Sequence, residues 1–322
     1  MWKKKYIKYL KTTMPITDQK LLKISKLLSG GEGSDHFSPS QLNLPLPKWI
    51  INYLCCTQHM RRKSIANYKM HFGNLTNNTA QRLVAKYLFV GDKKIEISNR
   101  NKDEIFKDEL DKINEQEVRD EKDKWSREAM VEFAQPCIEQ TTKAIKEIFG
   151  SQLIQSERYV SDSPKDLFID LLGRIDYESN SSGSPNSSGI FAEMKSKPPY
   201  VRTNKNGFSI STQKLPNEPD DNHISQISFY YCATKKKPFL FYVNNDGYVI
   251  FDSTHEKLKL KYLEHVYEKM VRKALTIQRL LLISEGQAEE MAKYVEPPDL
   301  NHPYYYKDLT EEQQAITKQL WG

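Results

Sequence analysis

The chain has 322 residues, enough to bury a substantial core as one large domain or two smaller ones. Its 38% hydrophobic and 11% aromatic content excludes global disorder, and no apolar run approaches the roughly 18 residues of a membrane-spanning helix. The net charge of +6 is uneven: residues 1–30 hold eight lysines against the single acid Asp18, a basic arm suited to a polyanion beside a nearly neutral remainder.

Met1-Trp2-Lys3-Lys4-Lys5 has the charge of a secretory leader, but no apolar stretch or small-residue cleavage site follows, so an intracellular setting is expected. Four scattered cysteines (Cys55, Cys56, Cys137, Cys232) form no disulfide framework and agree with a reducing compartment. Residues 1–28 read as a lysine-rich amphipathic helix or pair of helices, and residues 29–47 as a linker rich in Gly, Ser and Pro. From Trp49 to Phe89 the apolar stripes have helical spacing. Residues 99–128, dense in both signs of charge, read as an exposed helix or connector. A helix is expected to begin near Pro136 and to stop at Gly150.

The character then changes. Short apolar runs at 159–160, 167–172 and 190–192 read as strands, with a Ser/Asn/Gly loop over 179–189. A helix follows Asp221-Asn222, and the runs 239–243 and 248–251 flank Asn244-Asn245-Asp246-Gly247, a strong hairpin signal. Ser253 and Glu256 have capping-box spacing and are expected to open a long helix ending near Gly286. The order predicts an α/β core with helices on a sheet, preceded by a helical N-terminal region. The expected organisation is an arm and linker over 1–47, a helical region over 48–128 and the α/β domain over 129–322.

Chemistry concentrates in Gly173-Arg174-Ile175-Asp176 and, after the loop, Glu193-Met194-Lys195. Alternation along a strand puts Glu193 and Lys195 on one face. Two carboxylates offer Mg²⁺ hard oxygen ligands, and a neighbouring lysine can orient a water or offset charge developing on a phosphoryl group. The E-x-K triplet alone also fits an exposed edge-strand ladder. Its context is more specific: it follows the apolar run Ile190-Phe191-Ala192, and Gln226 and Tyr230 lie downstream at i, i+4 on a helix.

Taken together, G-x-x-D, E-x-K and Q-x-x-x-Y in this order resemble the RecB-like branch of the PD-(D/E)XK nuclease superfamily, which includes phage-type exonucleases and CRISPR-associated relatives. The resemblance covers roughly residues 130–320. It implies a restriction-endonuclease-like core, a mixed central β-sheet flanked by helices. It also implies Asp176, Glu193 and the Met194 carbonyl as metal ligands, Lys195 as the catalytic lysine, and Gln226 and Tyr230 as supports of the site and the DNA. The family draws a further acid or histidine from the helix before the sheet, for which Glu139 is the first candidate and Glu132 the second. Mg²⁺ is the implied cofactor, with Mn²⁺ as a substitute. The chain lacks the cysteine quartet of the CRISPR-associated members, so no iron–sulfur cluster is expected.

Lys197, Arg202, Lys205 and Lys214, interleaved with Tyr200 and Phe208, follow the E-x-K strand and suit a flexible loop that tracks a nucleic-acid backbone. Lys235-Lys236-Lys237 is a further basic run, read more simply as a charged helix end. His223 lies near the start of the Gln226 helix. Cys55, Cys56, His59 and His71 lack zinc-site spacing. No G-x-x-x-x-G-K-[ST] loop is present, so an ATP motor would belong to a helicase or recombination partner. The leading expectation is a Mg²⁺-dependent DNA exonuclease of recombination, repair or phage DNA metabolism, in the cytoplasm of a bacterium or of a phage-infected host. Two alternatives stand beside it, a restriction-type or structure-specific endonuclease and a non-catalytic nucleic-acid-binding protein on a degenerate nuclease fold. Oligomeric state is left open.

Overall fold

The computed structural model describes residues 36–56, 67–98, 101–118, 120–179, 189–205, 207–299 and 309–322. The lysine-rich arm, His59 and most of the Ser/Asn/Gly loop lie outside the described residues. In chain order the first elements are strand β1 (His36–Phe37) and two short helices, α1 (Pro39–Asn43) and α2 (Leu46–Ile50), the second running on as a π-helical turn over Ile51–Cys55. Helix α3 (Tyr68–Val84) precedes the strands β2 (Tyr87–Val90) and β3 (Lys93–Glu96). Helices α4 (Lys102–Asn114), α5 (Glu121–Ala129) and α6 (Val131–Phe149) lead into β4 (Ile154–Asp162), β5 (Asp170–Ser179) and β6 (Ile190–Ser196). Then come β7 (Tyr200–Asn204), β8 (Gly207–Ser211), α7 (Asp221–Thr234), β9 (Lys237–Val243) and β10 (Tyr248–Phe251). The last helices are α8 (Leu260–Ile283), α9 (Ala288–Ala292) and α10 (Glu311–Trp321).

The described residues divide into two compact units, one lying within 65–160 and 174–264, the other within 1–64, 161–173 and 265–322. This division cuts across the boundaries expected near 47 and 128. The first unit is α/β. Its strands lie in the order β10-β9-β6-β5-β4-β2-β3, and the sheet is mixed: β6 runs parallel to β9 and β2 to β4, while β5–β6, β9–β10 and β2–β3 are antiparallel. Helices flank it. Tyr177, Ala192, Met194, Phe241 and Val243 face one core with Phe72 and Leu75 of α3 and Cys137, Ile138, Ala144 and Ile145 of α6. On the other face, α7 packs Tyr230 edge-on against Phe191 of β6.

Caps mark where the helices begin. Asn67 accepts from the Lys69 and Met70 N–H groups ahead of α3, and Asp220 from Asn222 ahead of α7. Lys235, at φ 57°, ends α7 in the left-handed region.

Several expectations need correction. Residues 87–96, assigned in part to a helix, form the β2–β3 hairpin around Gly91 at φ 60°, because β2 finds a parallel partner in β4. The Gly91-Asp92 pair supplies the turn. The stretch expected as an exposed helix or connector is helical, in two pieces, α4 and α5, but not simply exposed, since Ile105, Phe106 and Ile113 of α4 are buried. Helix α6 starts at Val131 and carries Pro136 inside it. One missing N–H is tolerated there because Ala134, Cys137 and Ile138 anchor the turn in the core. The strand expected from 167 begins at Asp170. Ser253 caps nothing; His255 caps a short 3-10 turn over Glu256–Leu258 and α8 starts at Leu260.

In the second unit, β1 pairs in parallel with Asp170 and Leu171. The stretch from 36 to 47, expected as linker, is folded there: Ser38 and Gln41 form a capping box and Phe37 and Leu42 are buried. Gln278 of α8 accepts from the Phe168 N–H and donates to the Asp166 carbonyl. Among the described residues no helix is long and apolar enough to cross a membrane.

Candidate functional site

The first unit brings Asp176, Glu193 and Lys195 together on the sheet. The β5–β6 register pairs Tyr177 with Ala192, so one step further sets Asp176 opposite Glu193. Like charges directly across a ladder repel, and here they sit on adjacent central strands. The Met194 N–H donates to Asp176 Oδ2 at 2.9 Å, and Lys195 Nζ donates to Glu193 Oε1 at 2.8 Å. Glu193 is 3% exposed, and its Oε2 is buried with no hydrogen-bond partner among the described residues.

The electrostatics follow from this placement. Burial, then the neighbouring Asp176 charge, push the Glu193 carboxyl up to about 8 despite Lys195. Burial also raises Asp176, against the opposing pull of Lys195 and the Met194 N–H. For Lys195, burial works against the charge, but Glu193 and Asp176 outweigh it and hold the ammonium above its ordinary value. Two buried carboxylates thus share one lysine.

The Q-x-x-x-Y pair divides in role. Tyr230 donates from its hydroxyl to the Arg174 carbonyl at 2.7 Å, fixing β5 two residues before Asp176. Gln226 is half-buried on the same helix. The helix that reaches the carboxylates is α3. Its Asn77 hydrogen-bonds Asp176 and accepts from Tyr177 Oη at 2.8 Å.

Glu139 is placed elsewhere. It lies on α6 with its side chain 58% exposed, ion-paired to Lys102 at 2.7 Å. Glu132 is also exposed. The third acid near the pair is Glu157 of β4, buried, with its backbone at φ 63°. Its charge helps to raise Glu193, and burial followed by Asp176 raises its own carboxyl. Gln81 of α3 and Arg174 of β5 bind its two oxygens. A left-handed glutamate inside a strand leaves no trace in the residue pattern, and Asn77 and Gln81 look like any polar pair on a helix. Neither could be read from the chain.

A second set lies beside Lys195, whose β9 partner is Tyr242. The Tyr242 hydroxyl accepts from the Asp220 N–H at 2.9 Å and shares a 2.8 Å hydrogen bond with His223 Nδ1. Burial, then the positive Lys195, push His223 down to about 4, so its ring is neutral at pH 7. Lys197 Nζ lies 5.1 Å from the Tyr242 ring centroid.

The stretch expected as a flexible basic loop is instead the antiparallel pair β7–β8. Arg202 stacks on Tyr200 at 5.2 Å, Lys205 lies exposed after β7, and Lys214 is exposed beyond β8. Phe208 packs against Trp125 at 5.6 Å between ring centroids, which explains why this segment is ordered. Lys236 belongs to a buried cluster: with Arg158 it binds both oxygens of Glu178, the Lys236 bond being 2.6 Å. Burial pushes the Cys55 and Cys137 thiols up to about 12, which keeps them protonated.

No protein-family model matches this chain, and no curated protein matches it. A solved structure described as the crystal structure of SSO0001 is similar over 52% of this chain and 83% of that one, at 14% identity and a TM-score of 0.26, a likeness too remote to define the fold.

Proposed function

We propose that this chain is a Mg²⁺-dependent nuclease that hydrolyses DNA phosphodiester bonds, built on a restriction-endonuclease-like version of the α/β core. The observation that carries the reading is the buried Asp176–Glu193 pair with Glu193 Oε2 unpartnered. Leaving a buried carboxylate oxygen unmet is costly, and a cation meets that need.

The donor set fits Mg²⁺. Among the described residues no three His, Cys, Asp or Glu side chains form a metal cluster. Mg²⁺ commonly takes only one or two carboxylates and keeps waters or phosphate oxygens for the rest. Asp176, Glu193 and the Met194 carbonyl would hold it. Bound there, Mg²⁺ supplies Lewis-acid polarisation of a phosphoryl oxygen and a more acidic water.

The chain's own residues do the rest. Lys195 stays protonated between two acids, placed to stabilise negative charge on the phosphoryl group. Tyr230 and Asn77 fix Asp176 through the β5 backbone and its carboxylate. His223, neutral and held by Tyr242, offers a proton acceptor beside Lys195. The exposed face of β7–β8, with Tyr200 and Arg202, suits a nucleic-acid backbone.

End-labelled linear DNA and closed circular DNA incubated with Mg²⁺ test the reading. Release of nucleotides from linear DNA alone is expected of an exonuclease, and nicked circles would assign an endonuclease. DNA binding with no cleavage in Mg²⁺ or Mn²⁺ would remove the catalytic reading.

A further inference from the structure

A cleft of about 570 Å³ shares three residues with the surroundings of the carboxylates, Gln81, Glu157 and Arg174. Its volume falls in the range of small-ligand pockets, suited to a nucleotide rather than a duplex segment. Arg174 is 55% exposed by side chain, with Nε ion-paired to Glu157. That leaves both terminal nitrogens of the guanidinium without a protein partner among the described residues, the edge that grips phosphate in a fork. The backbone of the same residue is held by Tyr230, two positions before Asp176.

The wall beyond Arg174 suits a base. Tyr159 of β4 is 42% exposed and Phe89 of β2 is half-buried, two aromatic rings lining one cleft. The other cations there, Arg82 and Lys112, are ion-paired to Glu109, as Glu157 is to Arg174. Both terminal nitrogens of Arg82 are bound, to Glu109 and Asp108, and Lys112 Nζ binds Glu109, whereas Arg174 meets Glu157 through Nε, so Arg174 is the cation best placed for an incoming phosphate.

Resting on the nuclease reading above, we propose that this cleft is a subsite for the nucleotide of a single-stranded end next to the scissile bond. Arg174 holds its phosphate, Tyr159 stacks its base, and Glu157 positions Arg174.

The test is fluorescence anisotropy with a 3′-labelled, 5′-phosphorylated hexathymidylate in EDTA, where nothing is cleaved. Tyr159→Ala is expected to weaken binding on the order of 10-fold, and Tyr159→Phe to restore it. Arg174→Gln is expected to weaken binding and to reduce the salt slope by about one ion. Unchanged affinity in both Tyr159→Ala and Arg174→Gln would overturn the subsite, and so would a blunt duplex that binds as tightly with the same sensitivity. Thermal melts of each variant identify a loss caused by misfolding, in which case Tyr159→Leu, which keeps bulk without a ring, must still bind weakly. Losses in oligonucleotide binding alongside uncut DNA in Mg²⁺ support the subsite while removing the nuclease reading.

Discussion

Two groups of buried charge sit within a few residues of each other on β5, and they are built in opposite ways. Glu178 is 1% exposed and is met by both Arg158 and Lys236, so that despite burial its carboxyl is held below the ordinary range. Asp176 and Glu193 share Lys195, with Arg174 acting on Asp176 as well, and both are still raised. The first cluster is electrostatically complete and needs nothing from solvent. The second is short of positive charge in a place where water cannot supply it. Similar burial with opposite balance distinguishes a charge that the fold itself neutralises from one that, in the proposed reading, a bound cation would complete.

The largest expected effect tests the undersupplied group. Lys195→Ala should lower the rate of Mg²⁺-dependent cleavage at least about 100-fold while oligonucleotide affinity, measured by anisotropy, stays near wild type. Near-normal cleavage by this variant would end the proposed mechanism.

Glu178→Gln tests the complete group. It strands two cations, one of them nearly buried, and should cost about 3 kcal/mol of unfolding free energy in a denaturant titration. Cleavage per folded molecule should not change, since no step uses Glu178. Lost activity in well-folded protein would erase the contrast between the two clusters.

The pH dependence sharpens it further. Glu193 takes its proton more readily when folded than when unfolded, so metal-free protein should lose stability as pH rises from about 4.5 to about 8. Glu178, depressed in the fold, works in the other direction: its contribution is present above its unfolded value and is lost on acidification. Thermal melts in EDTA should show a shallower loss between pH 6 and pH 8 for Glu193→Gln than for wild type. Mg²⁺ should raise the wild-type melting temperature most at the alkaline end and leave Glu193→Gln unmoved. An equal Mg²⁺ shift in both proteins would place the cation elsewhere.

The smallest effect is expected at Glu139. Its ion pair with Lys102 is exposed, so Glu139→Ala should change stability by less than about 1 kcal/mol and leave cleavage intact. A loss of Mg²⁺ dependence in this variant would restore Glu139 as a ligand.

Local signals were legible where neighbours along the chain carry the physics. Asn244 to Gly247 specified the β9–β10 hairpin, and alternation in Ile190–Ser196 placed Glu193 and Lys195 on one face. The G-x-x-D and E-x-K segments do meet on adjacent strands. Their partners from afar were not legible. Choosing the helix that serves the site meant choosing between α3 and α6, both apolar on one side, and the choice depends on which packs its polar face toward Asp176.

The sequence by itself determined that this chain has an α/β region whose strands carry two acids and a lysine, because strand alternation and turn chemistry act over a few residues. Only the tertiary structure decided that Asp176 and Glu193 face each other and that Glu157 and Asn77 join them instead of Glu139. It alone decided that Glu178 is saturated while Glu193 is not. Charge balance at a buried site is a sum over groups distant in the chain, and the order of residues does not contain their distances.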